Sequence, residues 1–175
     1  MRDEFTTSRS PLQKSRGGGD SLARMVAGME RLAHARHLAV WEIVDARLEL
    51  SVLWAVGDAS GPCASEVKIG VSTRKAYADE IKKMGNYRSA EVVTRYETII
   101  SGRGRAELLK TALLATLEDR GLTFRSWRRA NVGELSDIVA KLATTYRVRL
   151  MTHDEAVALE HEVFDKVAAE HCGGV

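Results

Sequence analysis

The sequence predicts an α+β protein: a small three-stranded mixed or antiparallel sheet flanked by helices, with extra helices at the N- and C-terminal ends. Three observations carry this. The spacing of apolar residues changes along the chain, from three-and-four to two and back. Strand-type and helix-type segments alternate without the long series of crossovers that a parallel sheet needs. Apolar residues make up 45% and charged residues 29% of 175 residues, enough for one core without staples.

Residues 1–19 read as a disordered basic tail, because Ser, Thr, Arg, Pro11 and the run Gly17-Gly18-Gly19 bury too little apolar area to offset ordering entropy. Residues 20–175 then form a single α+β domain. Asp20 or Ser21 can cap a helix whose apolar positions are Leu22, Met25, Val26, Met29 and Leu32, and which frays near His37. From Leu38 the β-formers Val40, Trp41, Ile43 and Val44, and then Leu50 to Val56, read as one bent strand or two short ones. The stretch Gly57 to Pro62 is a turn, and Glu66 to Val71 returns as the second arm of a hairpin. Ser72 or Thr73 caps a helix that Gly85-Asn86 ends.

Val92, Val93, Tyr96 and Ile99 mark a third strand over residues 90–100, broken by Ser101 to Gly104. Leu108, Leu109, Ala112, Leu113 and Leu117 mark the next helix. Phe124 to Arg128 is a candidate short fourth strand. Gly133 to Tyr146 is helical, and Thr152 with Glu155 makes a capping box for a last helix bearing Val157, Phe164 and Val167.

No apolar run approaches the roughly 20 residues needed to span a bilayer, so no membrane partner is expected. Cys63 and Cys172 stand alone, which points to a reducing compartment, cytoplasmic or nuclear. The Ser/Thr/Arg-rich tail is compatible with organellar import, against which Asp3 and Glu4 argue. Charge is unevenly spread. Residues 1–67 hold eight Lys/Arg against nine Asp/Glu, residues 68–129 fourteen against seven, and residues 130–175 four against eight. The basic middle third suits a phosphate-bearing partner, with Tyr77, Tyr87, Tyr96 and Trp127 interleaved as possible stacking surfaces. A solvated helix face with mixed charge accounts for the same pattern. Gly102 to Arg105, before a helix, could hold a phosphate or serve as an ordinary helix entry. His34 and His37 read as a half-exposed pair, and His153 and His161 have no HExxH spacing.

One set of segments has a more specific likeness. Leu53 to Val56, Val67 to Ser72, Thr94 to Glu97, Ala106 to Leu114 and Ser126 to Ala130, with the helix Glu134 to Leu142 after them, resemble in order the core of GIY-YIG nucleases. The "KIG" of Lys68-Ile69-Gly70 resembles the second strand of the phage and large-DNA-virus branch. The likeness covers about residues 50–142. It implies hydrolysis of a phosphodiester near one divalent cation, Mg²⁺ or Mn²⁺, with a tyrosine near the attacking water, an arginine on phosphate and a glutamate on the metal.

This chain departs from that pattern. The first family tyrosine falls at Trp54 and the second at Lys68, a change that many viral-type members share. The helix arginine falls near Ala78, with Arg74 one turn earlier able to replace it. The glutamate falls at Lys110 and a frequent histidine at Leu114, leaving Glu107 as the carboxylate on roughly the same helix face. The resemblance therefore implies Lys68, Arg74, Tyr77 and Glu107 as catalytic residues, Glu107 as metal ligand, and impaired cleavage.

Two functional classes follow. One is an endonuclease-related domain. The other is a non-catalytic module on the same fold that binds nucleic acid, DNA rather than RNA, through Arg103, Arg105, Arg128 and Arg129. A protein-assembly role through the tail or the C-terminal helix requires Val157, Phe164 and Val167 to be exposed.

Overall fold

The computed structural model describes residues 17–60, 65–85, 91–118 and 127–172. The chain divides into two units, Met1–Ala39 and Val40–Val175. In order the elements are α1 (Gly17–Leu48), β1 (Ser51–Asp58), β2 (Glu66–Thr73), α2 (Tyr77–Gly85), β3 (Val92–Ile100), α3 (Arg103–Thr116), β4 (Arg128–Arg129), α4 (Val132–Tyr146) and α5 (His153–Cys172). The class is α+β, as the sequence predicts. The sheet has four strands rather than three, antiparallel throughout in the order β3-β1-β2-β4. The fourth strand is two residues long.

In the first unit the helix already includes Gly17, the first described residue, ahead of the expected Asp20 or Ser21. Leu22, Met25, Val26, Met29 and Leu32 lie along it, all exposed. Of residues 1–19, expected as a disordered tail, 17–19 are helical and 1–16 lie outside the described residues.

The second unit begins inside α1. Fraying near His37 is not seen: residues 40–48, expected as strand, continue the helix to Leu48. The β-branched content of this stretch misleads, because Val40, Val44 and Leu48 also recur every four residues and all three are buried. Glu49 then turns left-handed at φ 44° and ends the helix.

β1 is the centre of the sheet and is buried at all eight positions. Its alternation divides the core in two. Leu53 and Ala55 point to a face covered by α3 and α4, where Leu109, Leu113, Leu117, Leu135 and Val139 meet Ile100 and Val67. Val52, Trp54 and Val56 point to the opposite face, under the end of α1, α2 and α5.

Two local features fix the ends. Arg95 is an extra residue in β3, since Ala55 pairs with Tyr96 and Val56 with Thr94. Gly102, at φ 89°, lets the chain turn from β3 into α3. Its N–H and the Ser101 hydroxyl both donate to the Leu48 carbonyl, at 3.0 and 2.9 Å, and so close the end of α1.

The later helices start where their caps predict. Asn131 accepts from Glu134 N at 2.8 Å before α4. The expected capping box opens α5, with Thr152 N donating to Glu155 at 2.8 Å and Glu155 N to Thr152 Oγ1 at 3.2 Å. The apolar side of α5 is occupied within its own unit. Val167 and Ala156 are fully buried, and the Phe164 ring lies 4.7 Å from that of Trp41. It is therefore not a free docking face. Among the described residues, no helix is long and apolar enough to cross a membrane.

Candidate functional site

The face under α2 and α5 is where polar groups collect. Trp54, at the centre of that face, lies flat over Gly70 on the neighbouring strand. A Cβ on Gly70 would stand 2.1 Å from the indole ring. The indole N–H donates to the Ser72 hydroxyl at 2.7 Å, and that hydroxyl in turn donates to Glu80 on α2. A buried strand is thus tied to a helix by two successive bonds.

Beyond Ser72 the strand ends in a tight turn. Arg74 N donates to the Leu50 carbonyl at 3.0 Å, and Ala76 N to the Thr73 carbonyl at 3.0 Å, with Thr73 Oγ1 at 3.3 Å. This turn directs Arg74 toward α5. Its Nη1 pairs with Glu160 Oε2 at 2.5 Å, and its Nη2 lies 3.5 Å from His153 Nε2. Both side chains of the ion pair are only about one-fifth exposed, at 21% and 19%.

Arg74 separates two clefts. The larger, about 570 Å³, is lined by Asp45, Glu49, Thr73, Lys75 and Arg103 with the Arg74–Glu160 pair. Lys75 there pairs with Asp45. The smaller, about 380 Å³, has Val52, Ile99 and Met151 as apolar wall and Tyr77, Glu97, Thr98 and His153 as polar lining. The Tyr77 hydroxyl donates to Glu97 and lies 3.1 Å from Thr94 Oγ1. Burial first, and then the bond and charge of Glu97, push the phenol up to about 12, against a smaller opposing effect from Thr94. The shift keeps Tyr77 a hydroxyl donor further into alkali than an ordinary tyrosine.

Of the residues that the sequence singles out, Arg74 and Tyr77 share the smaller cleft. Lys68 lies opposite Val56, on the same side of the sheet, but lines neither cleft. Glu107 is on α3, which packs against the other face, and it is bonded to Lys110 at 2.5 Å. The Lys110 ammonium beside this carboxylate would repel a cation. Among the described residues no group of three or more His, Cys, Asp and Glu is arranged to hold a metal ion. Glu107 does not share a cleft with Arg74 and Tyr77.

The four arginines expected on phosphate fall at two ends of the sheet. Arg103 and Arg105 open α3 beside the Leu48–Ser51 end. Arg128 and Arg129 pair with Val67 and Glu66 near the other end of β1, about 20 Å along the strands. The aromatic reading also changes. Trp127 is buried, Tyr96 packs against the α3–α4 core, and Tyr87 lies outside the described residues. Glu97 and Glu160 were not singled out by the sequence as site residues, and His153 was weighed only with His161, not with Arg74. Each is distant in sequence from the residue it contacts, so no local pattern marks it.

Comparison with protein-family models, with curated proteins and with solved structures gives no match.

Proposed function

We propose that this chain is a nucleic-acid-binding domain on a GIY-YIG-like core, endonuclease-related in its architecture and impaired in cleavage. The observation that carries this reading is Arg74, a guanidinium braced by Glu160 and His153 at the wall between two clefts, with Arg103 on the rim of one of them. A planar fork with several N–H donors matches phosphate oxygens in pairs, and bracing it beforehand reduces the entropy lost on binding. Impaired cleavage is supported by Lys110, a cation at the position of the family glutamate and bonded to Glu107. The antiparallel order of β3, β1 and β2, with α2 following the hairpin, agrees with the likeness read from the sequence.

The test is fluorescence anisotropy with short DNA and RNA duplexes at several salt concentrations, beside a plasmid-nicking assay with Mg²⁺ or Mn²⁺ and an EDTA control. Binding should weaken steeply with salt and favour DNA. Arg74→Ala with Arg103→Ala should lower affinity by about tenfold or more and flatten the salt slope by about two counterions. Binding that ignores salt, or that the double variant leaves intact, overturns the reading. Metal-dependent nicking that disappears in Glu107→Ala would replace impaired cleavage with an active endonuclease.

A further inference from the structure

The first unit carries a feature that the nucleic-acid reading does not use. Leu22, Met25, Val26, Met29 and Leu32 on α1 are 59%, 58%, 45%, 63% and 63% exposed. Single exposed apolar residues need no explanation, but a continuous row of five on one helix does. The steps from Leu22 to Met25, Met29 and Leu32 are three, four and three residues. That is the a-d-a-d spacing of a coiled-coil seam, whose knobs require a facing helix with the same repeat.

The geometry points to a second copy of this chain as the partner, docked helix to helix through this row. Two features favour a copy of itself. First, the positions that flank the seam are Val26, Gly28, Ala33 and Ala35, without charge, so an identical helix meets no like-charge repulsion there. Gly28 has open space around it, which lets a neighbouring backbone approach. Second, the five exposed side chains offer roughly 500 Å² per copy, about 1,000 Å² for a pair, which reaches the lower bound for a specific interface. Arg36 occupies the next a position.

Arg36 also sets the orientation. A parallel pair would stack Arg36 against its own copy in the seam. An antiparallel pair forms Leu22–Leu32 and Met25–Met29 layers, each twice, and leaves Arg36 beyond the last of them. Arg24, Glu30 and Arg31 fall on the outer side in either case.

An interface of this size predicts a weak dimer, in the micromolar range. Sedimentation velocity of the full chain from about 1 to about 200 µM should show the mass rising from one copy to two. Met29→Glu with Leu32→Glu should remain monomeric over that range. Glutamate is a good helix former, so unchanged helical circular dichroism separates lost docking from lost folding. A wild-type chain that is monomeric throughout overturns the proposal, as does a dimer that survives the double substitution. A monomer that floats with anionic phosphatidylglycerol vesicles through the same residues also overturns it, in favour of an interfacial helix.

Discussion

The two faces of the sheet are built from the same strands and differ in kind. Against α3 and α4 the contacts are aliphatic: Leu53, Ala55, Val67 and Ile100 meet Leu109, Leu113, Leu135 and Val139, nearly all of them without solvent exposure. Against α2 and α5 the sheet presents polar groups that are each committed to a partner: Trp54 to Ser72, Ser72 to Glu80, Tyr77 to Glu97, Arg74 to Glu160. The aliphatic face gains most from removing apolar area from water. The other face also buries an apolar core, with Val44, Val56 and Val167 fully buried, and its polar groups add little net energy because each bond replaces bonds to water, although leaving any one of them unpaired would be costly. Apolar burial is therefore shared by the two sides, and the partnered polar groups are concentrated on one.

The largest effect should come from the aliphatic side. Leu109→Ala removes a fully buried side chain from the middle of α3 and leaves a cavity, at a cost of about 3–4 kcal/mol, measured as a lower urea midpoint. Because Leu109 is remote from the Arg74 clefts, affinity for DNA at a temperature where the variant stays folded should change less than twofold. A large loss of affinity from a folded Leu109→Ala protein would break the separation between the two faces.

Gly70→Ala addresses the polar side through its one close approach. The added methyl would overlap the Trp54 ring, which must leave its position and give up its bond to Ser72. A cost of about 2–3 kcal/mol is expected, from strain and from a buried indole N–H left without an acceptor. Replacing Trp54 by Phe in the same chain should recover part of that loss, since the smaller ring makes room and has no N–H to satisfy. If Gly70→Ala is as stable as wild type, the indole does not lie over the strand, and the polar face is looser than its bonds imply.

The aliphatic face was largely legible in the sequence, and the polar face was not. Leu109, Leu113 and Leu117 recur at helical spacing, and Val67, Ile69 and Val71 alternate, so period alone assigns them to a core. The capping box of Thr152 and Glu155 was equally readable, because both partners lie within one turn. Residues 40–48 were misread because Val and Ile satisfy strand propensity while their spacing satisfies a helix, and packing decided for the helix. At the candidate site the sequence marked Arg74 and Tyr77, both near the start of α2. It missed Glu160, which reaches Arg74 from α5, and Glu97, which reaches Tyr77 from β3, and it did not connect His153 with Arg74. Contacts across 20 to some 80 residues leave no local trace. Lys110, at the position of the family glutamate, was visible in the sequence, and the structure adds its pairing with Glu107.

The smallest effect is also the sharpest probe of the polar face. Tyr77 is held protonated up to about 12, by burial and by the Glu97 carboxylate, whereas the unfolded phenol titrates near the ordinary tyrosine value of 10.0. Between pH 10 and about 12 the unfolded chain therefore releases a proton that the folded chain keeps. Stability from this group is complete below pH 10 and falls as pH rises through that window. Tyr96, raised by burial on the opposite face, contributes in the same direction. Tyr77→Phe should cost only about 0.5–1 kcal/mol at neutral pH, where one bond is lost and Glu97 is solvated instead. In alkali it should make the decline of stability shallower and remove the latest step from the phenolate absorbance titration. Tyr96→Phe tests the other face in the same assay, and there the loss should come from packing rather than from a carboxylate. If Tyr77→Phe leaves the alkaline decline unchanged, Glu97 does not hold the phenol. The bond between the two side chains would then contribute little to the polar face.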